Sequence, residues 1–192
     1  VRRSGHGLKD IKFDAVYTSD LTRTVDTAEL ILGENEETDP DMEIVMMPEF
    51  REIFFGIFEG EYNDTVYKKV AEHLGIKTAE KMFSDVNQFE RMGAFKEMDP
   101  YGHAEDFMEF WLRVEKGLLK IIDKHRDTGH NILLVAHGGT IRLILENLIP
   151  DLDDPNPLLN ASVSVAHYDN GLYHLDQYGD VSHFVEEEEL DN

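Results

Sequence analysis

Residues 132–142 have the sequence ILLVAHGGTIR, and this stretch decides the fold. Four apolar residues and an alanine predict a buried strand, and the residues after the glycines have the apolar spacing of a helix. His137 therefore stands where a strand ends and a helix begins. In open parallel sheets, ligands bind at such junctions, at the carboxyl ends of the strands. The start of a helix also offers free N–H groups and a partial positive charge to an anion.

Two interpretations of His137 follow from this position. Gly138 and Gly139 leave room for a phosphate to approach the backbone, which favours a role for the histidine in binding or catalysis. A lone histidine at the edge of a sheet is also commonly a packed structural residue. The position by itself leaves both interpretations open.

Strands and helices alternate along the chain. Apolar runs predict strands at 13–18, 43–47, 161–168 and 171–175, and the turn Asn170-Gly171 joins the last two as a hairpin. Residues 62–98 are rich in helical patterns, and a long amphipathic helix is predicted from Glu105 to about Lys124. The alternation predicts an α/β fold, namely three α/β/α layers with a mostly parallel central sheet, an antiparallel edge strand and a helical cap insertion.

Composition narrows the classes of partner. The chain has 192 residues, a formal net charge of −22 and no cysteine. This charge argues against nucleic acid or an anionic membrane as a partner, because both require neutralisation by lysine and arginine. A phosphate ligand would need a local positive pocket in an acidic surface. Without cysteine there are no disulfides or cysteine-based sites, and we expect a cytoplasmic protein.

Three further residues stand at predicted strand ends or loops. Arg23 falls in the first turn of the helix that Ser19 and Asp20 are expected to cap, where the helix dipole disfavours a cation. A bidentate clamp on a phosphate would explain Arg23, and a solvated surface arginine is the alternative. Glu52 lies among apolar and aromatic residues that favour a neutral carboxyl and a general acid, and a salt bridge is the alternative. Glu105 is expected to be a first-turn acid of the long helix.

Four segments, in this order and spacing, resemble the histidine phosphatase superfamily, which is also described as phosphoglycerate mutase-like. They resemble its segments for the phosphate-binding arginine, the proton-donor glutamate, the second histidine and the strand that closes the sheet. In this chain they are residues 17–28 (YTSDLTRTVDTA), 51–60 (REIFFGIFEG), 135–142 (VAHGGTIR) and 160–165 (NASVSV).

The resemblance implies a mechanism. A nucleophilic histidine takes the phosphoryl group and forms a phosphohistidine, which water or an acceptor then discharges. Arg23 would grip the phosphate, while His137 and the N–H groups at Gly138 would hold the transferring oxygens. Glu52 would protonate the leaving alcohol and then activate water. No metal and no organic cofactor is implied. Further candidate site residues are Ser19, Glu105 and Asn160.

One element of the family pattern is missing from the sequence. The nucleophile of the family lies in an Arg-His-Gly motif on the central strand, upstream of all four segments, and this chain has no such motif. His6 does not fit, because no apolar strand precedes it and Phe13 follows only seven residues later. We therefore expect a single phosphoglycerate mutase-like domain over residues 1–192, N-terminally incomplete by roughly 35 residues, with a cap insertion at about 61–104.

The leading functional expectation is a phosphatase that hydrolyses a small phosphorylated metabolite. A phosphoglycerate mutase, which returns the phosphoryl group to its substrate, is the alternative within the family. The insert is rich in phenylalanine and methionine, which suggests a partly apolar substrate and favours the phosphatase. If the nucleophile segment is absent, a non-catalytic phosphate binder or interaction module is expected instead. The physiological substrate and the oligomeric state stay open, a homodimer included.

Overall fold

The computed structural model of the protein describes residue 5, residues 7–152 and residues 156–182. His6 lies outside these residues, so its interpretation stays a prediction. The chain divides into two compact units, Val1–Glu52 with Lys116–Asn192 and Ile53–Glu115. Within the described ranges, the first unit holds the strands and the second is helical.

The first unit is organised around a parallel sheet. Its strands are β1 (Ala15–Thr18), β2 (Ile44–Met46) and β3 (Ile132–Val135), in the order β2-β1-β3. All four residues of β1 are buried, because this strand is hydrogen-bonded to a parallel neighbour on each side. The strand that ends at Thr18 is therefore the centre of the sheet and a rigid support for the residues that follow it.

Six α-helices have defined bounds in the described residues: α1 (Thr22–Glu34), α2 (Asn63–His73), α3 (Ala79–Asp85), α4 (Gln88–Met98), α5 (Phe107–His125) and α6 (Gly138–Leu148). α1 packs on the sheet, where Ala28 and Ile31 share one core with Val16. The boundary between the units falls within α5. No helix in the described ranges has both the length and the apolar character needed to cross a membrane.

The antiparallel strands form a sheet of their own. β4 (Val163–Asp169) pairs with β5 (Leu172–Asp180), and positive φ angles of 50° at Asn170 and 86° at Gly171 make the two-residue turn that the sequence predicts. These two strands are the antiparallel part of the predicted fold, and in the described residues they pair with each other and with no strand of the parallel sheet.

The prediction of a buried β3 is wrong, because all four residues of this strand are only half-buried. The physical reason is its place in the sheet. β3 is paired with β1 along one edge, and within the described residues no strand covers its other edge. The prediction of a further strand upstream stays a prediction.

The α/β fold class is confirmed by the parallel sheet and its helices. The helix-rich stretch predicted at 62–98 is confirmed as α2, α3 and α4. That the insertion at about 61–104 caps the sheet stays a prediction. The second unit has a core of its own, made of Phe58, Val66, Val70, Ala71, Met82, Ala94, Phe95 and Ala104.

Gly117 of α5 tests the packing within the first unit, to which Glu49 and Phe50 also belong. A Cβ at position 117 would lie 2.8 Å from Glu49 Cβ and 2.9 Å from Phe50 Cζ, and Phe50 is fully buried. We expect Gly117→Ala to lower the free energy of unfolding by about 1–3 kcal/mol in urea denaturation, because the core cannot yield without strain.

The control for this prediction is Gly93→Ala in α4. A Cβ there meets no heavy atom within 4 Å outside its own helix. Its expected effect is a stabilisation of about 0.5–1 kcal/mol, because alanine loses less backbone entropy than glycine in a helix. Equal stability of the two variants would contradict the close contact at Gly117.

Candidate active site

His137 lies at the end of β3 as the N-cap residue of α6, and only 6% of it is exposed. Its Nδ1 accepts a hydrogen bond of 3.1 Å from Nε of Arg23, and its Nε2 lies 2.8 Å from Oγ of Ser19. Because a guanidinium can only donate, Nδ1 carries no proton. The imidazole is therefore the tautomer protonated on Nε2, and it donates to Ser19.

A chain of buried hydroxyls continues from His137. Oγ of Ser19, which is fully buried, lies 2.7 Å from Oγ1 of Thr24. The Thr24 hydroxyl donates to the carbonyl of Leu21 at 2.8 Å. Ser19 thus accepts from His137 and donates to Thr24. Each polar side chain in this series from His137 to Thr24 is hydrogen-bonded, which fixes the orientation of the imidazole.

The predicted cap of α1 is wrong. The N-cap residue is Leu21, whose side chain makes no capping hydrogen bond, and the Ser19 hydroxyl lies against His137 and accepts from N–H of Leu21 at 3.3 Å. Asp20 binds Arg51 in a two-pronged ion pair, with N···O distances of 2.6 and 2.5 Å. The hydrogen bond from Arg51 holds the pKa of Asp20 below its ordinary value. The two loops that follow β1 and β2 are thereby joined.

Glu52 lies against the start of α6. Its Oε1 accepts from N–H of Thr140 at 3.0 Å, and its Oε2 accepts from N–H of Gly139 at 3.3 Å. The surroundings of the carboxylate are therefore polar, not apolar as the sequence predicts, because it satisfies free N–H groups of the helix. Gly139 permits this approach, since a Cβ there would lie 2.7 Å from Oε1.

Gly138 and Asn160 stand where the sequence places them, at the start of α6 and just before β4. Gly138 is exposed. The nearest heavy atom to a Cβ placed on it would be the carbonyl oxygen of Leu158, at 3.9 Å. Asn160 lies in an exposed turn two residues after Leu158. Gly138 thus keeps open space beside His137, and the role of Asn160 stays a prediction.

Glu105 belongs to a different arrangement. It precedes α5, which begins at Phe107, and it forms a two-pronged ion pair with Arg113 at 2.8 and 2.7 Å. It also accepts from N–H of Phe54 at 3.0 Å. The prediction of a first-turn acid is wrong, since Glu109 holds that position and Glu105 ties a loop to the helix within the second unit.

Known proteins resemble the chain over most of its length. The family model of the histidine phosphatase superfamily (branch 1) matches residues 1–181. The chain belongs to this superfamily. The resemblance of the sequence to this superfamily is thereby confirmed.

Two relatives and one solved structure show the range of this similarity. Phosphoglycerate mutase-like protein 4 of Arabidopsis thaliana is 30% identical over 179 residues, which are 93% of this chain and 69% of that protein. Metal-independent phosphoserine phosphatase of Arabidopsis thaliana is 32% identical over 169 residues, 88% of this chain and 62% of that protein. A phosphoglycerate mutase crystal structure from Bacillus anthracis str. Sterne superposes with a TM-score of 0.88 at 32% identity, covering 95% of this chain and 79% of that one.

In this member of the histidine phosphatase superfamily, the structure joins residues that the sequence names separately. Ser19, Arg23 and Glu52 all contact the segment that starts at His137, and all lie in the first unit. Sequence reasoning missed Thr24 and the third residue of α6, Thr140. Both look like ordinary helix residues, and their position in the first turn of a helix beside a candidate site is the only signal that could have found them.

Among the described residues, no group of three or more histidine, cysteine, aspartate or glutamate side chains is placed to hold a metal ion. His125 and His130 bond to one another through their Nδ1 atoms at 2.9 Å, and Nε2 of His125 lies 2.7 Å from the Tyr17 hydroxyl. Burial lowers the pKa of His125 below its ordinary value.

Ser19→Ala tests the buried chain at His137. It removes a buried hydrogen-bond partner of both His137 and Thr24, so we expect the free energy of unfolding to fall by about 1–3 kcal/mol in thermal or urea denaturation. Ser84→Ala is the matched control, because Ser84 also bonds through its hydroxyl but is exposed. Its change should stay within about 0.5 kcal/mol. Equal effects of the two substitutions would contradict the network.

Proposed function

We propose that the protein is a phosphatase that hydrolyses a small phosphorylated metabolite through a phosphohistidine intermediate. The contact between Arg23 and His137 at the start of α6 is the observation that carries this proposal. In a chain with a net charge of −22, a guanidinium, an imidazole and the positive end of a helix make a local site for an anion. The similarity to the phosphoserine phosphatase supports the same activity.

The substrate phosphate binds between Arg23 and His137. The guanidinium offers donors in a planar fork that matches phosphate oxygens, and the exposed Gly138 lets the phosphate approach the backbone. Binding draws the guanidinium toward the phosphate, and the Ser19 hydroxyl keeps the imidazole in place while this happens. The guanidinium then stabilises the charge on the transferring oxygens, and the imidazole donates to the same oxygens once its Nδ1, freed from Arg23, takes up a proton.

Phosphoryl transfer needs one proton donor and one nucleophile. A histidine, expected upstream of the described strands, attacks phosphorus and forms a P–N bond while the P–O bond to the alcohol breaks. The electron pair of that bond goes to the leaving oxygen, which takes a proton from Glu52. Glu52, now ionised, takes a proton from a water molecule that attacks the phosphohistidine and releases inorganic phosphate and the free histidine.

A phosphoglycerate mutase is the second candidate, and the similarity to the mutase structure from Bacillus anthracis favours it. The two reactions share the first transfer and differ in the acceptor of the phosphoryl group. We would incubate the protein as it is encoded with 3-phosphoglycerate and a bisphosphate primer, and in parallel with phosphoserine. The proposal predicts free phosphate. Formation of the isomer without free phosphate would contradict the phosphatase and establish the mutase.

Arg23→Ala tests the phosphate site itself. Removing the guanidinium should lower kcat/KM by about 10²-fold or more, because it acts on charge that develops in the transition state. Arg126→Ala is the control, since Arg126 is exposed just beyond α5 and its loss should leave turnover unchanged. Turnover that survives Arg23→Ala would refute the site. Binding of phosphate without any turnover in the unsubstituted protein would establish a non-catalytic binder.

A further inference from the structure

Thr140 has no part in the proposed reaction, yet its hydroxyl lies at the centre of the Glu52 contacts. The residue is fully buried in the first turn of α6. Its Oγ1 lies 2.9 Å from the carbonyl oxygen of Arg51 and 3.1 Å from Oε1 of Glu52. Its N–H donates to the same Oε1 at 3.0 Å. One residue therefore holds both the carboxylate of Glu52 and the backbone just before it.

The hydroxyl has a single proton for two oxygen neighbours. The carbonyl of Arg51 can only accept, so the shorter contact uses the proton of Thr140. The oxygen of Thr140 then has lone pairs that face Oε1 of Glu52. A protonated Glu52 can donate to that oxygen, and an ionised Glu52 can accept from the same hydroxyl after it turns. The contact between Thr140 and Glu52 thus persists in both protonation states of the carboxyl.

We propose that Thr140 is a positioning residue for proton transfer, whose hydroxyl keeps the Glu52 carboxyl in one place before and after it gives up its proton. This proposal rests on the proposed function. A proton donor changes state during the reaction, and the O–H of its neutral form needs an acceptor, which a neighbour that can only donate does not supply. A hydroxyl can serve both forms, whereas the backbone N–H groups of Gly139 and Thr140 can only donate.

The choice of leaving group isolates this role. When an alkyl phosphate reacts, the P–O bond breaks and the leaving alkoxide needs the proton of Glu52. When p-nitrophenyl phosphate reacts, nitrophenolate leaves as a stable anion and needs little help from a proton. A misplaced Glu52 therefore slows the alkyl ester more than the aryl ester. The ratio of their kcat/KM values reports the step in which the leaving group departs.

The experiment compares Thr140→Val and Thr140→Ser in the protein as it is encoded, with phosphoserine and p-nitrophenyl phosphate as substrates. Thr140→Val keeps the shape and loses the hydroxyl, so kcat/KM for phosphoserine should fall by roughly tenfold or more, while the value for p-nitrophenyl phosphate changes by less than about threefold. Thr140→Ser keeps the hydroxyl and loses a methyl group, and it should preserve the ratio of the unsubstituted protein.

A purely structural role for Thr140 predicts the opposite order. Thr140→Val would then be tolerated, and Thr140→Ser would be impaired by the cavity that the lost methyl leaves. An equal loss on both substrates would also overturn the proposal. If Thr140→Val does not fold, Thr140→Ala replaces it, because it shares the methyl loss of Thr140→Ser and differs only in the hydroxyl.

The failure of this proposal can be told from the failure of the proposed function. An unsubstituted protein that turns over neither substrate overturns both. An unsubstituted protein that turns over both substrates, together with a Thr140→Val variant of unchanged substrate ratio, overturns the role of Thr140 alone.

Discussion

The imidazole of His137 is bonded at both of its nitrogens, and the geometry of the site depends on this. Arg23 donates to Nδ1 from the first turn of α1, and Ser19 accepts from Nε2 at the end of β1. Three elements, β1, α1 and α6, are thus fixed to one ring. A histidine held in this way can neither change its tautomer nor flip its ring without breaking a hydrogen bond to Arg23 or Ser19, so the site is organised before any ligand arrives.

The start of α6 lies beside both the carboxylate of Glu52 and the guanidinium of Arg23. The backbone N–H groups of Gly139 and Thr140 hold the carboxylate of Glu52, while His137 and Arg23 lie at the same helix end. The ion pair of Asp20 with Arg51 joins the loops that carry these groups. The hydrogen-bond donors of the site and the carboxyl of Glu52 therefore lie together in a small part of a very acidic chain. An acidic surface and an anion site are therefore compatible, because the relevant charge is local.

Much of this arrangement could be predicted from local patterns. The change from an apolar run to helical spacing at His137 places the junction, Arg23 is conspicuous as a cation in a first helical turn, and Asn170-Gly171 gives the hairpin. A local pattern indicates how a residue behaves within its own helix, strand or turn, and each of these three features lies within one such element.

The rest depended on contacts between residues far apart in the chain. Ser19 and His137 are 118 residues apart, and nothing near Ser19 in the sequence distinguishes a helix cap from a partner of a distant imidazole. The same holds for Thr140, whose hydroxyl meets residues of a loop 88 and 89 positions earlier. Glu105 was misassigned because its partner, Arg113, lies further along a helix that begins two residues later than predicted. The half-buried state of β3 depends on which strands lie beside it in the sheet, and the pattern of apolar residues within β3 does not indicate its neighbours.

The central claim is that Arg23 and Ser19 hold His137 in a single tautomer. Nitrogen-15 NMR of the histidine side chains, with His137 assigned by comparison with a His137→Gln variant, measures this directly. The account predicts a protonated Nε2 and an unprotonated Nδ1 for His137 in the absence of any ligand. A proton on Nδ1, or averaging between the two tautomers, would contradict it.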